Sequence, residues 1–216
     1  MGDKFIACVL SSGWDTYSIH RREQSWAKEE YVYQTSWGTT TRMIGGLIMV
    51  HSDDYGLVLP PRIAPRQVVI IPIGDSDEII NLANSYKEKL LANNISCYVD
   101  LTDKSPGFKF AESEVNGIPV RIEIGKRDLE NGNITFARRD TREKITESIN
   151  IDVVDYIKNL LETIQTDMYN RAVERRDKLT FTAHNLEELE NIITSQPGFV
   201  HGDWCGDESC EIRIKE

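Results

Sequence analysis

Gln67-Val-Val-Ile-Ile-Pro-Ile73 is a continuous apolar run. A half-solvated strand alternates apolar and polar residues, whereas a strand covered on both faces need not, so this run predicts a buried strand. Working outward, Asp75 and Asp77 supply carboxylates for a helix start, and Glu78–Asn93 has amphipathic spacing. Ile95–Val99 predicts a second strand and Phe108–Val115 a short helix. Val120-Arg-Ile-Glu-Ile124 alternates and predicts a third strand; Asn131-Gly132 marks a turn, with Ile134–Ala137 returning. Strand-helix-strand-helix-strand order with short connections predicts an α/β domain on a mixed sheet, at about 66–150.

Upstream, Leu59-Pro-Pro-Arg-Ile-Ala-Pro65 holds three prolines and reads as a stiff extended linker and domain boundary. Before it, Glu30–Trp37 has strand composition, Arg42–Met49 is apolar with Gly45 and Gly46 permitting close helix packing, and His51–Gly56 is a polar turn. Residues 1–29 have no readable assignment. Downstream, Asp152–Arg176 predicts a long helix, Leu179–Thr182 a strand, Asn185–Thr194 a helix opened by Asn185, and Glu208–Glu216 the start of another. The expected organisation is thus 1–29, 30–65, 66–150 and 151–216.

Composition narrows the function classes. The 216 residues carry a net charge of -10, which argues against a globally basic nucleic-acid binder but leaves room for a local site. Residues 101–150 hold nine Lys/Arg against nine Asp/Glu, a neutral segment in an acidic chain. No apolar run has membrane-spanning length, and the N-terminus has the wrong flanks for a signal peptide. Four cysteines (Cys8, Cys97, Cys205 and Cys210) are too scattered for a disulfide scaffold, so a cytoplasmic setting is expected.

Gln34–Gly46 carries the clearest chemistry. Arg42 follows a small polar run and precedes an apolar one. A guanidinium at a strand-to-helix junction can stack on a base and pair with phosphate oxygens, and Thr40, two residues earlier on a strand, would share its face. Trp37 between Ser36 and Gly38 offers a flat wall for a small ligand. Cys205 and Cys210, spaced C-x4-C, supply two of the four donors of a tetrahedral zinc site.

Thr35-Ser-Trp-Gly-Thr-Thr-Thr-Arg42, with His51-Ser-Asp-Asp54 and Gly56-Leu-Val-Leu-Pro-Pro-Arg62, resembles the third signature motif of class II prolyl-tRNA synthetases of the archaeal/eukaryotic-like type. Pro106-Gly-Phe-Lys-Phe110 and Gly117–Asp128 resemble that family's anticodon-binding domain, and Trp204–Cys210 the entry to its zinc-binding domain. The resemblance covers about residues 30–216. It implies the last part of an antiparallel class II catalytic sheet, then a mixed-sheet α/β anticodon-binding domain, then a small α+β C-terminal piece.

The family attaches proline to its tRNA through an ATP-derived prolyl-adenylate. The resemblance therefore implies Arg42 as the catalytic arginine at ATP, with Mg, and Thr40 as a nucleotide contact. It implies Ser36, Trp37 and Gly38 at the proline pocket. Lys109, Glu114, Arg121 and Lys144 would lie at the anticodon, which contains two guanines. It also implies partners: proline tRNA, proline, ATP, and a homodimer formed largely through the catalytic domain.

The first and second class II motifs are not in residues 1–30, so these residues alone are not expected to aminoacylate. Residues 30–60, detached from the rest of such a sheet, are expected to expose apolar edges and lose order. The second cysteine pair of the family's zinc site lies downstream of the C-x4-C pair. Two other function classes stand beside the ligase reading: a standalone, non-catalytic anticodon-binding adaptor or regulator, and a small zinc or redox protein built on Cys205 and Cys210.

Overall fold

The computed structural model describes residues 38–196, 198–203 and 205–215. The strand expected at Glu30–Trp37, with Ser36 and Trp37, lies outside the described residues, as does Cys8. The chain opens on helix α1 (Arg42–Val50) and a short antiparallel hairpin of β1 (Ser52–Asp53) and β2 (Gly56–Leu57). Asp53 Oδ1 accepts from the Tyr55 N–H at 2.9 Å and stiffens the turn between them.

Two sequence expectations change here. Thr40 is not on a strand: it sits one residue ahead of the helix N-cap, and its Oγ1 accepts from the Arg42 N–H at 3.3 Å. Gly45 and Gly46 make no close packing, since a Cβ on either would meet nothing within 4 Å among the described residues. α1 is left with no buried residue and with Met43, Ile44, Ile48 and Met49 exposed.

A five-stranded sheet follows, ordered β4-β3-β5-β6-β7. It is built from β3 (Val68–Ile73), helix α2 (Asp77–Ala92), β4 (Cys97–Val99), helix α3 (Pro106–Val115), β5 (Val120–Gly125), helix α4 (Lys126–Glu130), β6 (Asn133–Arg138) and β7 (Lys144–Ser148). β4, β3 and β5 run parallel, while β6 is antiparallel to β5 and to β7, so the sheet is mixed as expected.

β3 lies between two partners, which is why its sequence does not alternate. Val68 and Ile70 face α2, whereas Val69 and Ile71 pack with Ile118, Tyr98 and Phe110 on the other face. Pro72 is tolerated because the backbone groups of Val68 and Ile70 are directed toward β4, so the N–H that Pro72 lacks would point past the end of β4 at Val99.

Helix α5 (Val153–Lys178) closes one face of the sheet. Asp152 caps it by accepting from the Val154 and Asp155 N–H groups, and Val153, Ile157, Leu160, Leu161 and Ile164 enter the core around Phe136. Beyond it, β8 (Thr180–Ala183) and β9 (Phe199–Gly202) pair in parallel across helix α6 (Leu186–Ser195). Asn185 caps α6, accepting from Glu188 N–H while Glu188 reaches back to the His184 N–H. Helix α7 (Glu208–Lys215) is the last element.

Part of the loss of order expected over residues 30–60 does not occur. Ser52–Leu57 is docked against the end of α3, with Pro60 and Pro61 buried behind it. None of the described helices is long and apolar enough to cross a membrane.

Candidate nucleic-acid interface

The alternation of β5 sets one face of the site. Val120, Ile122 and Ile124 point into the main core, so Arg121 and Glu123 point together at α3. Register carries the row sideways: Arg121 lies opposite Ala137 of β6, and Ala137 lies opposite Lys144 of β7. α3 crosses above and brings Phe110, Ser113 and Glu114 to the same place.

These side chains form a chain of alternating charge. Lys144 Nζ donates to Glu123 Oε2 at 2.8 Å, Arg121 Nε to Glu123 Oε1 at 2.9 Å, and Arg121 Nη1 to Glu114 Oε1 at 3.1 Å. Arg121 Nη1 also reaches Ser113 Oγ at 3.2 Å. Phe110 lies under both cations, its ring centroid 4.3 Å from the Arg121 guanidinium and 5.2 Å from Lys144 Nζ. The middle members are sealed, with side-chain exposures of 8% for Arg121 and 7% for Glu123, while the ends are open at 50% for Lys144 and 25% for Glu114. Such a row offers an ammonium donor at one end and a carboxylate acceptor at the other, both oriented by a buried pair.

Three of the four residues nominated at the anticodon are therefore brought together. The fourth, Lys109, is buried, and its Nζ donates to the Asp100 backbone carbonyl at 3.0 Å. Glu123 and Phe110 were not nominated from the sequence. Glu123 could have been, since it stands two positions after Arg121 on the same strand and must share its face.

Arg139, beside this cluster, is 2% exposed and grips Asp53 with both terminal nitrogens, at 2.8 and 2.6 Å. Its Nε donates to the Glu114 carbonyl at 3.0 Å. The hydrogen bonds from Arg139 hold the Asp53 carboxyl down at about 2. Arg142, with φ at 62°, stacks its guanidinium 3.6 Å from the Tyr55 ring centroid.

The remaining nominated residues are far simpler in their surroundings. Gly38, Thr40 and Arg42 are exposed, and no side-chain partner holds the Arg42 guanidinium among the described residues. Cys205 is exposed and Cys210 half-buried. A hydrogen bond with Cys205 and its nearby charge push the Cys210 thiol up. No group of three or more His, Cys, Asp or Glu able to hold a metal occurs among the described residues, so the donors present do not fit a tetrahedral zinc site.

The family described as "Anticodon binding domain" matches residues 67–160, which contain the whole cluster. The chain is 51% identical over 191 residues to a proline–tRNA ligase of Lachnoclostridium phytofermentans, covering 88% of this chain and 39% of that one. It is 45% identical over 189 residues to a proline–tRNA ligase of Mesoplasma florum, covering 88% and 40%. A crystal structure of prolyl-tRNA synthetase from Cryptosporidium parvum, complexed with L-proline and AMP, superposes with a TM-score of 0.77 at 35% identity, covering 87% of this chain and 41% of that one. The chain thus spans about two-fifths of the length of the relatives it matches. Over the residues matched, the chain is thus similar to proline–tRNA ligases, and residues 67–160 belong to the anticodon binding domain family.

Proposed function

We propose that the Lys144–Glu123–Arg121–Glu114 row reads guanine bases in the anticodon of proline tRNA, as the tRNA-selecting part of a proline–tRNA ligase. The observation that carries this reading is the row itself. Guanine presents N1–H and N2–H donors on one edge and O6 and N7 acceptors on another. The partly exposed Glu114 carboxylate suits the donors, the exposed Lys144 ammonium suits the acceptors, and the buried Arg121–Glu123 pair keeps both from wandering. Phe110 adds an apolar floor. Lys109 has a supporting role in this reading, tying α3 to the end of β4 through Asp100.

The reading unit runs from about residue 66 through Ile164, because the first half of α5 completes the core under the sheet. In the whole protein, Thr40 and Arg42 would meet ATP, with Mg supplied alongside, and Ser36, Trp37 and Gly38 would border bound proline. The exposure of Arg42 and the absence of a side-chain partner for it among the described residues suit a phosphate contact. A cytoplasmic location and the family's homodimer belong to the same reading.

Lys144→Ala and Glu114→Gln test it in binding to an anticodon stem-loop RNA. Each is expected to weaken binding of the loop with two guanines by about 1–3 kcal/mol, the worth of a good base contact. Neither is expected to change binding of a loop in which both guanines are replaced by adenine. Equal loss on both RNAs would mean that these residues meet only the backbone.

A further inference from the structure

We infer that the hairpin Ser52–Leu57 is a specificity-setting strut, in which Asp53 positions Glu114 through Arg139 for guanine reading. This rests on the anticodon reading above. Glu114 belongs to the last turn of α3, where backbone carbonyls run out of intrahelical partners. Its carbonyl accepts from Arg139 Nε at 3.0 Å and from Gly117 N–H at 3.0 Å. Its carboxylate uses Oε1 for Arg121 at 3.1 Å, and Oε2 has no hydrogen-bond partner among the described residues. The position of that unpaired oxygen is thus set by how firmly the residue's own backbone is held.

Arg139 is the holding group, and Asp53 fixes Arg139. The Arg139 backbone N–H donates to the Pro119 carbonyl at 2.9 Å, which anchors the residue between β5 and β6. Its side chain spans from there to the hairpin, with one nitrogen on Glu114 and the other two on the Asp53 carboxylate. A planar fork with three fixed bonds transmits a displacement of Asp53 to the Glu114 carbonyl, as a lysine could not.

The hairpin is also wedged in place. Gly56, with φ at +132°, lies so close to α3 that a Cβ would collide with the Val115 backbone. Gly117, with φ at +68°, would set a Cβ 2.6 Å from the Leu57 Cβ.

The test compares three proteins on two RNAs: the unaltered chain, Asp53→Asn and Asp53→Glu, on the two-guanine stem-loop and its adenine-substituted form. Asn removes the charge that orients Arg139 but not the bulk of the side chain. The ratio of the two affinities is expected to fall about tenfold in Asp53→Asn, the scale of one charged hydrogen bond, and to recover in part with Glu. A purely stabilising hairpin would lower both affinities together and leave the ratio unchanged, which would overturn the inference. Where Asp53→Asn does not fold, Arg139→Lys, which keeps the charge and loses the fork, gives the same comparison and is expected to lower the same ratio. Failure of the unaltered chain to distinguish the RNAs would overturn the anticodon reading instead, and the strut with it.

Discussion

Asp140 shows how tightly single residues are committed around the interface. Its side chain is 1% exposed, yet it accepts from Arg138 at 3.0 and 2.9 Å and from Arg171 at 3.0 Å. Burial drives its pKa up, but the hydrogen bonds and charges of Arg138 and Arg171 outweigh that, and the carboxyl ends below its usual range. Arg138 in turn reaches Asp167 of α5 at 2.7 Å. Asp140→Asn should lower stability by about 1–3 kcal/mol, because Arg138 keeps Asp167 but loses the fork of charged hydrogen bonds to Asp140; the denaturant midpoint checks this.

Asp53 gives a pH dependence of definite sign. Its folded pKa lies below the ordinary 3.8, so its contribution to hairpin docking is fully present above about pH 4 and is lost as pH falls toward 2. The protection factor of the Gly56 amide, taken against its intrinsic exchange rate at each pH, should fall across that window in the unaltered protein, and not in Asp53→Asn.

At this scale the sequence was only partly informative. Glu114, Arg121 and Lys144 were named through family resemblance. Their convergence depends on the β5–β6–β7 register and on where α3 crosses, neither of which a linear spacing reveals. Lys109 looked like an available cation because nothing nearby in sequence announces that the Asp100 carbonyl will take its ammonium.

The elements were legible where burial writes a pattern. β3 announced itself as an apolar run, and α2, α5 and α6 came within a residue or two because their starts carry Asp77, Asp152 and Asn185. β7 was missed: Lys-Ile-Thr-Glu-Ser is an edge strand with no buried residue, so it has little apolar signal to read. β9 was missed because four residues after Gly198 with one half-buried position read as loop, and α4 because a five-residue helix is too short for periodicity.

The alternation of β5 predicts a strand, and its polar residues Arg121 and Glu123 are buried under α3 rather than solvent-facing. Phe136 joins the layers: it is fully buried on β6, with its ring centroid 4.6 Å from that of Tyr156 on α5. Phe136→Ala should lower stability by about 3–5 kcal/mol, seen as an earlier thermal midpoint with the far-UV spectrum kept below it.

Across the whole molecule, the sheet domain is the fixed body, and the segments before and after it differ in how they attach. The hairpin is pinned by an ion pair, two close glycine backbones and a stacked arginine, whereas α1 exposes its apolar side chains. The sequence did predict exposed apolar surface upstream of the linker. It could not show that Asp53 meets Arg139, because the partners are 86 residues apart. Protection against amide exchange should accordingly rise sharply between α1 and β2.

On the proposed reading, a neutral, alternating row of charges in an acidic chain selects guanines in an anticodon. Equilibrium binding of this chain to the proline tRNA anticodon stem-loop, with each guanine in turn replaced by adenine at one fixed salt concentration, tests it most directly. Losing the guanine that the row reads should weaken binding by about 1–3 kcal/mol, roughly 5- to 150-fold. Equal affinity for all the loops would contradict it.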